Sequence, residues 1–392
     1  MSPASATARP AGVFAGLVGQ RLVVDVLQDA VQKAATGGTG MTHAWLFTGP
    51  PGSGRSVAAR AFAAALQCPD GGCGHCHECH TGLTGAHADV EVVSPTGLSY
   101  GVKETRDLVN RAAMAPARGR WQITIVEDAD RFTEQALNAL LKSIEEPPPR
   151  AVWLLCAPSV EDLLPTIRSR CRMLTLRIPP YDDVATHLEA EGVDRSVAAF
   201  AARAAQGHVG RARRLAQDEQ AQRRRRDVLE LPLQVATVGG CFTAAANLVD
   251  AAKEEAAATV ETMNAAETSA LKDALGDVGG RGRARPRGAS AALSDLERRQ
   301  RSRATRTQRD ALDRALVDLA AFYRDVLVLQ LGAPVDLVNA DLQTALQRLA
   351  ESSSAESTLR RIEAVLACRE AVDANVAPLL AVEAMALGLR QG

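Results

Sequence analysis

The chain has 392 residues and a mass of 41.4 kDa, enough for two or three domains, and 46% of its residues are apolar, which excludes global disorder. Its 45 Lys and Arg stand against 46 Asp and Glu; a net charge of −1 excludes a uniformly basic nucleic-acid coat and leaves room only for local basic stretches. No apolar run approaches the ~20 residues that span a bilayer, and the first twelve residues lack the basic patch and apolar core of a secretory signal. A soluble, cytoplasmic protein without a membrane partner is expected.

The first half alternates short apolar runs with helical stretches. Residues 44–48 (Ala-Trp-Leu-Phe-Thr) run into Gly49-Pro50-Pro51-Gly52-Ser53-Gly54, a loop by composition, and an alanine-rich helix is expected over 56–66. Further strands are expected over 90–93, 122–126, 151–155 and 173–176, with helices over 103–114 and 133–144. Strands separated by helices need crossovers, so the fold class here is α/β, with a mostly parallel sheet covered on both faces.

After about Pro179 the strand-like runs stop. Residues 182–215 read as small helices, and from about Asp218 every periodic segment is helical. Leu312, Ala315, Leu316, Leu319, Phe322, Tyr323, Val326 and Leu327 recur at steps of three and four, one face of a long amphipathic helix; a second such helix is expected over 358–377. These stripes read as the core of a helix bundle. The chain is therefore α/β and then all-α, divided at 1–179, 180–217 and 218–392. A Gly- and Arg-rich stretch at about 276–290 reads as a mobile linker. The arginines at 223–226 and 298–309 read as solvated charge on helix faces, or as a weak non-specific attraction for nucleic acid.

The loop at 49–56 fits the phosphate-binding pattern G-x-x-x-x-G-K-[ST] at every fixed position except one. Gly49, Gly52 and Gly54 let backbone N–H groups turn toward phosphate oxygens, the following helix adds its positive end, and Ser56 is placed to ligate Mg²⁺. The departure is Arg55 in the place of lysine. A planar guanidinium does not replace a compact ammonium, which disfavours ATP hydrolysis more than ATP binding; a Gly-rich turn without function is the alternative. Residues 123–130 form an apolar strand ending in carboxylates, of the type that holds Mg²⁺ and orients water. The order there is Glu127 then Asp128, where an ATPase has Asp then Glu. Asp128 thus stands one methylene short in the water-activating position.

Cys68, Cys73, Cys76 and Cys79 place four thiols within twelve residues. Zn²⁺ takes four soft ligands in a tetrahedron, and C-x₂-C spacing sets two thiolates on one turn. A closed four-cysteine shell leaves no position for water, so the expected zinc is structural; reduced free thiols or a redox C-x-x-C are the alternatives.

Together, Val18-Gly19-Gln20, the phosphate loop, the four cysteines after its helix, residues 138–148 (Asn-Ala-Leu-Leu-Lys-Ser-Ile-Glu-Glu-Pro-Pro) and residues 164–171 (Leu-Pro-Thr-Ile-Arg-Ser-Arg-Cys) resemble the bacterial clamp-loader AAA+ proteins, subunits of the DNA polymerase III holoenzyme. The resemblance covers about residues 18–215. It implies an AAA+ phosphate-loop domain, a small helical lid at 180–217 and a helical collar at 218–392. It also implies a sensor-1 Ser or Thr where Cys156-Ala157-Pro158-Ser159 stands, and a sensor-2 arginine where Gly210 stands, with Arg211 one place late and rotated by about 100°.

These departures, with Arg55 and Asp128, all fall on the chain's own ATPase site. Ser169-Arg170-Cys171 is intact, and in the family its arginine enters a neighbouring subunit's ATP site as a trans arginine finger; a structural ion pair is the alternative for Arg170. A degenerate nucleotide site beside a sound finger resembles the delta-prime, or stator, type rather than the ATP-hydrolysing gamma/tau type. The partners this implies are gamma/tau subunits, a delta subunit, the sliding clamp indirectly and primed DNA, in a hetero-oligomer at the nucleoid-associated replisome. Two other readings stand beside it: an active gamma/tau-type ATPase, and a zinc-stabilised nucleic-acid-binding protein using residues 281–309. Nothing in the chain resembles a nucleotidyl-transfer palm.

Overall fold

A computed structural model describes residues 12–36, 41–95, 99–274 and 289–392. The chain divides into two units, Met1–Ala216 and Gln217–Gly392. In the first, a 3-10 turn at Gly12–Gly16 leads into α1 (Arg21–Thr36), β1 (Ala44–Thr48), α2 (Arg55–Gln67), α3 (His77–Thr84), β2 (Val90–Val93), α4 (Val102–Ala112), β3 (Gln122–Val126), α5 (Glu134–Glu145), β4 (Ala151–Ala157), α6 (Pro165–Arg168) and β5 (Arg172–Thr175). Three short helices follow, α7 (Tyr181–Ala190), α8 (Arg195–Ala204) and α9 (Val209–Gln217).

The five strands are all parallel, in the order β2-β3-β4-β1-β5. Alternating side chains load both faces. On β1 and β4, Trp45, Phe47, Val152, Leu154 and Cys156 join the core under α1 and α2, while Ala44, Leu46, Trp153, Leu155 and Ala157 join the core under α4 and α5. β4 extends two residues beyond the expected 155, because Cys156 and Ala157 are small and continue that buried alternation. β1 lies between β4 and β5, so the loop leaving its carboxyl end opens where the strand order reverses, the usual site of ligand clefts in such sheets.

The approach to β3 is strapped by two buried side chains. Gln67, at the end of α2, accepts from Arg120 N–H at 2.9 Å and donates to Trp121 C=O at 2.6 Å. Asp89 accepts N–H groups from Ala117 at 2.6 Å, Arg118 at 2.9 Å and Gly119 at 2.5 Å. Burial raises the Asp89 carboxyl, but these three donors outweigh it and hold the group below its ordinary value. Asp89→Ala should cost about 2 kcal/mol or more, since three N–H groups lose an ionic acceptor. A depressed folded-state pKa gives stability that is full above the unfolded value of about 3.9 and lost as pH falls through the folded one. The gap in denaturation midpoint between wild type and Asp89→Asn should therefore be present at pH 7 and close in strong acid; a gap constant down to pH 2 would refute the ionic account.

The second unit contains α10 (Glu219–Gln234), α11 (Val238–Ala274), α12 (Ala289–Leu331), α13 (Gln343–Ser352), α14 (Ala355–Asp373) and α15 (Pro378–Gln391). At 1.5 Å per residue, the 37 residues of α11 and 43 of α12 run for roughly 55 and 65 Å. The expected stripe falls on α12, with Leu312, Leu316, Leu319, Phe322, Tyr323 and Val326 in the bundle core. The helix expected over 358–377 starts earlier, where Ser354 caps α14, and stops earlier, with Asn375 in the left-handed region beyond its end. The expected linker at 276–290 lies outside the described residues, apart from the last two, which begin α12.

The arginine runs are less solvated than expected. Arg225 is buried against Asp318 and Asn339, and the arginines of α10 and α12 reach carboxylates on α11, as in Arg224–Glu255, Arg303–Glu267 and Arg314–Glu255. Helix packing brings acceptors from distant sequence to these cations, which the local charge run does not reveal. Among the described residues no helix is long and apolar enough to cross a membrane.

Candidate functional site

The phosphate loop joins β1 to α2. Gly52 and Gly54 have φ of 89° and 91°, a region closed to most side-chain-bearing residues. A Cβ at Gly49 would collide with the Leu176 carbonyl, whereas one at Gly54 would meet nothing within 4 Å. No side chain caps α2, so its first-turn N–H groups are available to an anion in that open space. The Ser53 hydroxyl beside them is buried and has no hydrogen-bond partner among the described residues. These features fit a phosphate chain.

The cleft in front of the loop holds about 310 Å³. The loop residues from Gly52 to Ser56 form its floor, with Leu17 and Val18 on one side and His208, Gly210 and Arg213 on the other. Among the described residues no carboxylate lines it, and two arginines do. Gln20 supports it from behind: its buried amide donates to Ser53 C=O at 3.1 Å and to Arg177 C=O at 2.5 Å, which gives a physical reason for the Val18-Gly19-Gln20 motif.

The groups expected to perform hydrolysis are otherwise engaged. Arg55 Nη1 donates to Gly49 C=O at 2.7 Å, so its guanidinium folds back onto its own loop. Glu127 accepts from Arg60 Nη2 at 3.1 Å and from the Ser94 hydroxyl at 2.9 Å. Asp128 takes a left-handed φ of 50° and precedes the short 3-10 turn at Ala129–Arg131. In the expected sensor-1 stretch, Pro158 contributes only a carbonyl, which accepts Gly49 N–H at 3.1 Å, and Ser159 Oγ donates to Glu161. Burial pushes the neighbouring Cys156 thiol up to about 12, so it stays protonated. At the sensor-2 position, Gly210 lines the cleft without a side chain, Arg211 is not among the lining residues, and Arg213 is. Arg213 went unnoticed in the sequence; the signal was its spacing of three from Gly210, which places both on one helix face.

The cysteine tetrad closes on itself. Cys68 caps the end of α2, Cys73 lies in the loop, and Cys76 and Cys79 sit on the first turn of α3. Sγ–Sγ distances are 3.7 Å for Cys68–Cys73, 3.7 Å for Cys68–Cys76 and 3.9 Å for Cys73–Cys79, and all four sulfurs lie within 4.8 Å of one another. A tetrahedron with Zn–S bonds of about 2.3 Å has edges of about 3.8 Å. Disulfides need about 2.05 Å, so these are thiols poised around one point. Backbone N–H groups of Gly74 and Cys79 point at Cys79 and Cys76 sulfurs at 3.3 and 3.4 Å, the support thiolates need. The donor set fits a structural zinc with no open position. The loop also anchors the N-terminal turn, since Val13 N–H donates to Gly72 C=O at 3.1 Å.

Arg170 follows α6. Its Nη2 meets Glu145 Oε1 at 2.7 Å, and its Nη1 donates to Thr166 C=O at 2.8 Å and Ser169 Oγ at 3.1 Å. The side chains of Arg170 and Glu145 are 39% and 45% exposed, so the pair is worth about 0–1 kcal/mol and leaves the guanidinium releasable. Neighbouring Arg172 is committed elsewhere, stacked over Trp45 at 4.9 Å. The structure thus joins two of the sequence motifs, 138–148 and 164–171, through one surface ion pair.

Two family models match the chain in order: "DNA polymerase III, delta subunit" over residues 19–180 and "DNA polymerase III, delta subunit, C terminal" over residues 306–390. These matches support membership of the clamp-loader AAA+ family. Among the chain's relatives, the DNA polymerase III subunit gamma/tau of Mycobacterium tuberculosis is 37% identical over 177 residues, 44% of this chain and 30% of that protein. The DNA polymerase III subunit delta' of Haemophilus influenzae is 38% identical over 141 residues, 35% of this chain and 43% of that protein. The match thus spans less than half the length of either relative. A DNA polymerase III gamma subunit-related protein of Thermotoga maritima aligns with 94% of this chain and 98% of its own at 15% identity, with a TM-score of 0.40.

Proposed function

We propose that the chain is a delta-prime-type, or stator, subunit of a DNA polymerase III clamp loader. In this reading it assembles with ATP-hydrolysing gamma/tau subunits and a delta subunit, helps load a sliding clamp onto primed DNA, and lends Arg170 to a neighbouring ATP site. Its own cleft holds a nucleotide without turning it over, and its four cysteines hold a structural zinc. The helices from Glu219 onward serve as the collar. The observation that carries the reading is the commitment of the hydrolytic groups: Arg55 is bonded to Gly49 C=O, Glu127 is held by Arg60 and Ser94, and Gly210 offers no side chain, while Arg170 stands at the surface.

A second reading, a gamma/tau-type motor subunit, is favoured by the 37% identity to a gamma/tau protein and by the open phosphate cradle at Gly54. ATP hydrolysis separates the two. The purified chain should show no turnover alone and Arg170-dependent turnover when mixed with a gamma/tau partner, clamp and primed DNA. Steady turnover by the chain alone, abolished by Ser56→Ala, would make it a motor subunit.

A further inference from the structure

Gly210 stands where the resemblance implies a cation, and an arginine, Arg213, stands three residues later. Residues 210 and 213 share a face of α9, and both line the cleft. Arg213 is held from the α7 side: its Nε donates to Glu191 Oε2 at 2.8 Å, its Nη2 contacts Glu191 Oε1, and Nη2 lies 3.3 Å from His187 Nε2. Its Nη1 makes no hydrogen bond among the described residues. The Glu191 carboxyl is lowered by its hydrogen bond to Arg213, so the pair is ionic, yet the two side chains remain 42% and 31% exposed. An exposed pair of this kind exchanges partners at small cost.

Across the cleft the ligand chemistry is fixed by charge. Among the described residues, the floor offers the uncapped end of α2 and the buried, unpartnered Ser53 hydroxyl, Arg55 stands beside them, and no carboxylate faces the space. We infer that Arg213 is a phosphate-binding residue of this cleft, contacting the polyphosphate of a bound nucleoside triphosphate in the space left by Gly210, with Glu191 as its competitor. The inference rests on the proposal that the cleft holds a nucleotide. Gly210 adds no side chain to the cleft beside position 213, and a polyphosphate carries more negative charge than the single carboxylate it displaces. Binding then draws α9 toward the phosphate loop and loosens its tie to α7.

Titration of the full chain with a fluorescently labelled ATP tests this. Arg213→Ala should weaken binding about tenfold, as expected for a charged hydrogen bond. Arg211→Ala should change it less than twofold. Glu191→Gln should tighten binding about threefold, because it frees the guanidinium. Glu191→Gln breaks the same α7–α9 ion pair as Arg213→Ala, so a loss caused only by a loosened α9 would weaken both variants. Equal weakening in both, or unchanged binding in Arg213→Ala, overturns the inference and leaves the nucleotide-holding cleft standing. No binding by the wild-type chain overturns both.

Discussion

If Arg170 is the proposed finger, Arg170→Ala should leave the chain folded and able to assemble, and should slow single-turnover ATP hydrolysis by a gamma/tau partner by about 10³-fold or more. The magnitude follows from the chemistry: charge grows on the γ-phosphate oxygens as the bond to the leaving group loosens, and a guanidinium supplied from outside neutralises it at that moment. The side chain has the properties such a role needs. It lies just beyond a helix end, it is 39% exposed, and its ion pair with Glu145 is too weak to hold it against a phosphate. Glu145→Ala is the control, because it removes the ion pair and keeps the guanidinium. If Arg170 served only to pair with Glu145, both substitutions would alter stability alike and neither would change the partner's turnover. Unchanged hydrolysis with Arg170→Ala would end the finger assignment.

The second large effect concerns the four cysteines. Purified under reducing conditions, the chain should carry one zinc, and Cys79→Ser should abolish that content. Zinc binding to a four-ligand site is worth about 10–16 kcal/mol in small zinc-folded peptides, and a zinc held here would supply the free energy that closes the loop between α2 and α3. Cys79 is fully buried, and the loop it closes is rich in left-handed glycines, Gly71, Gly72 and Gly74, with little apolar content of its own. Metal loss should therefore open residues 68–84 to proteolysis. It should also free the turn at Gly12–Gly16, which is tied to that loop by the Val13–Gly72 hydrogen bond. Because residues 68–84 can open while the rest of the unit stays folded, only a few kcal/mol of the zinc free energy couples to global unfolding, and the melting temperature should fall by roughly 5–10 °C, at about 2–4 °C per kcal/mol for a unit of this size. A folded, reduced preparation holding far less than one zinc per chain would assign the cysteines to free thiols.

Much of this site was open to reading before folding. Strand β1, the glycine loop and α2 are contiguous, and their period changes within twenty residues, so the phosphate-binding pattern needs no tertiary knowledge. The four cysteines are likewise local, and a metal shell is a statement about spacing. The departures at Arg55, Asp128 and Gly210 are visible as single letters at fixed offsets. What those letters do is not. An arginine at this place can reach outward or fold back, and only the loop's conformation brings the Arg55 Nη1 to Gly49 C=O.

Other contacts join distant positions. Gln20 meets Arg177 across 157 residues, Arg60 meets Glu127 across 67, and Arg225 is buried against Asp318 across 93. No periodicity or composition encodes such pairings; they depend on the sheet order β2-β3-β4-β1-β5 and on how helices cross. Arg213 belongs to the same class, a residue in a run of arginines until α9 turns it toward the cleft.

The sequence by itself determined the α/β-then-all-α order, the phosphate loop, the cysteine tetrad and the arginine after Ser169, because each is written in residues within one turn or loop of each other. The tertiary structure decided which charges are spent and which are spare, because hydrogen bonding acts over about 3 Å, and only the folded path of the chain brings groups from distant sequence that close.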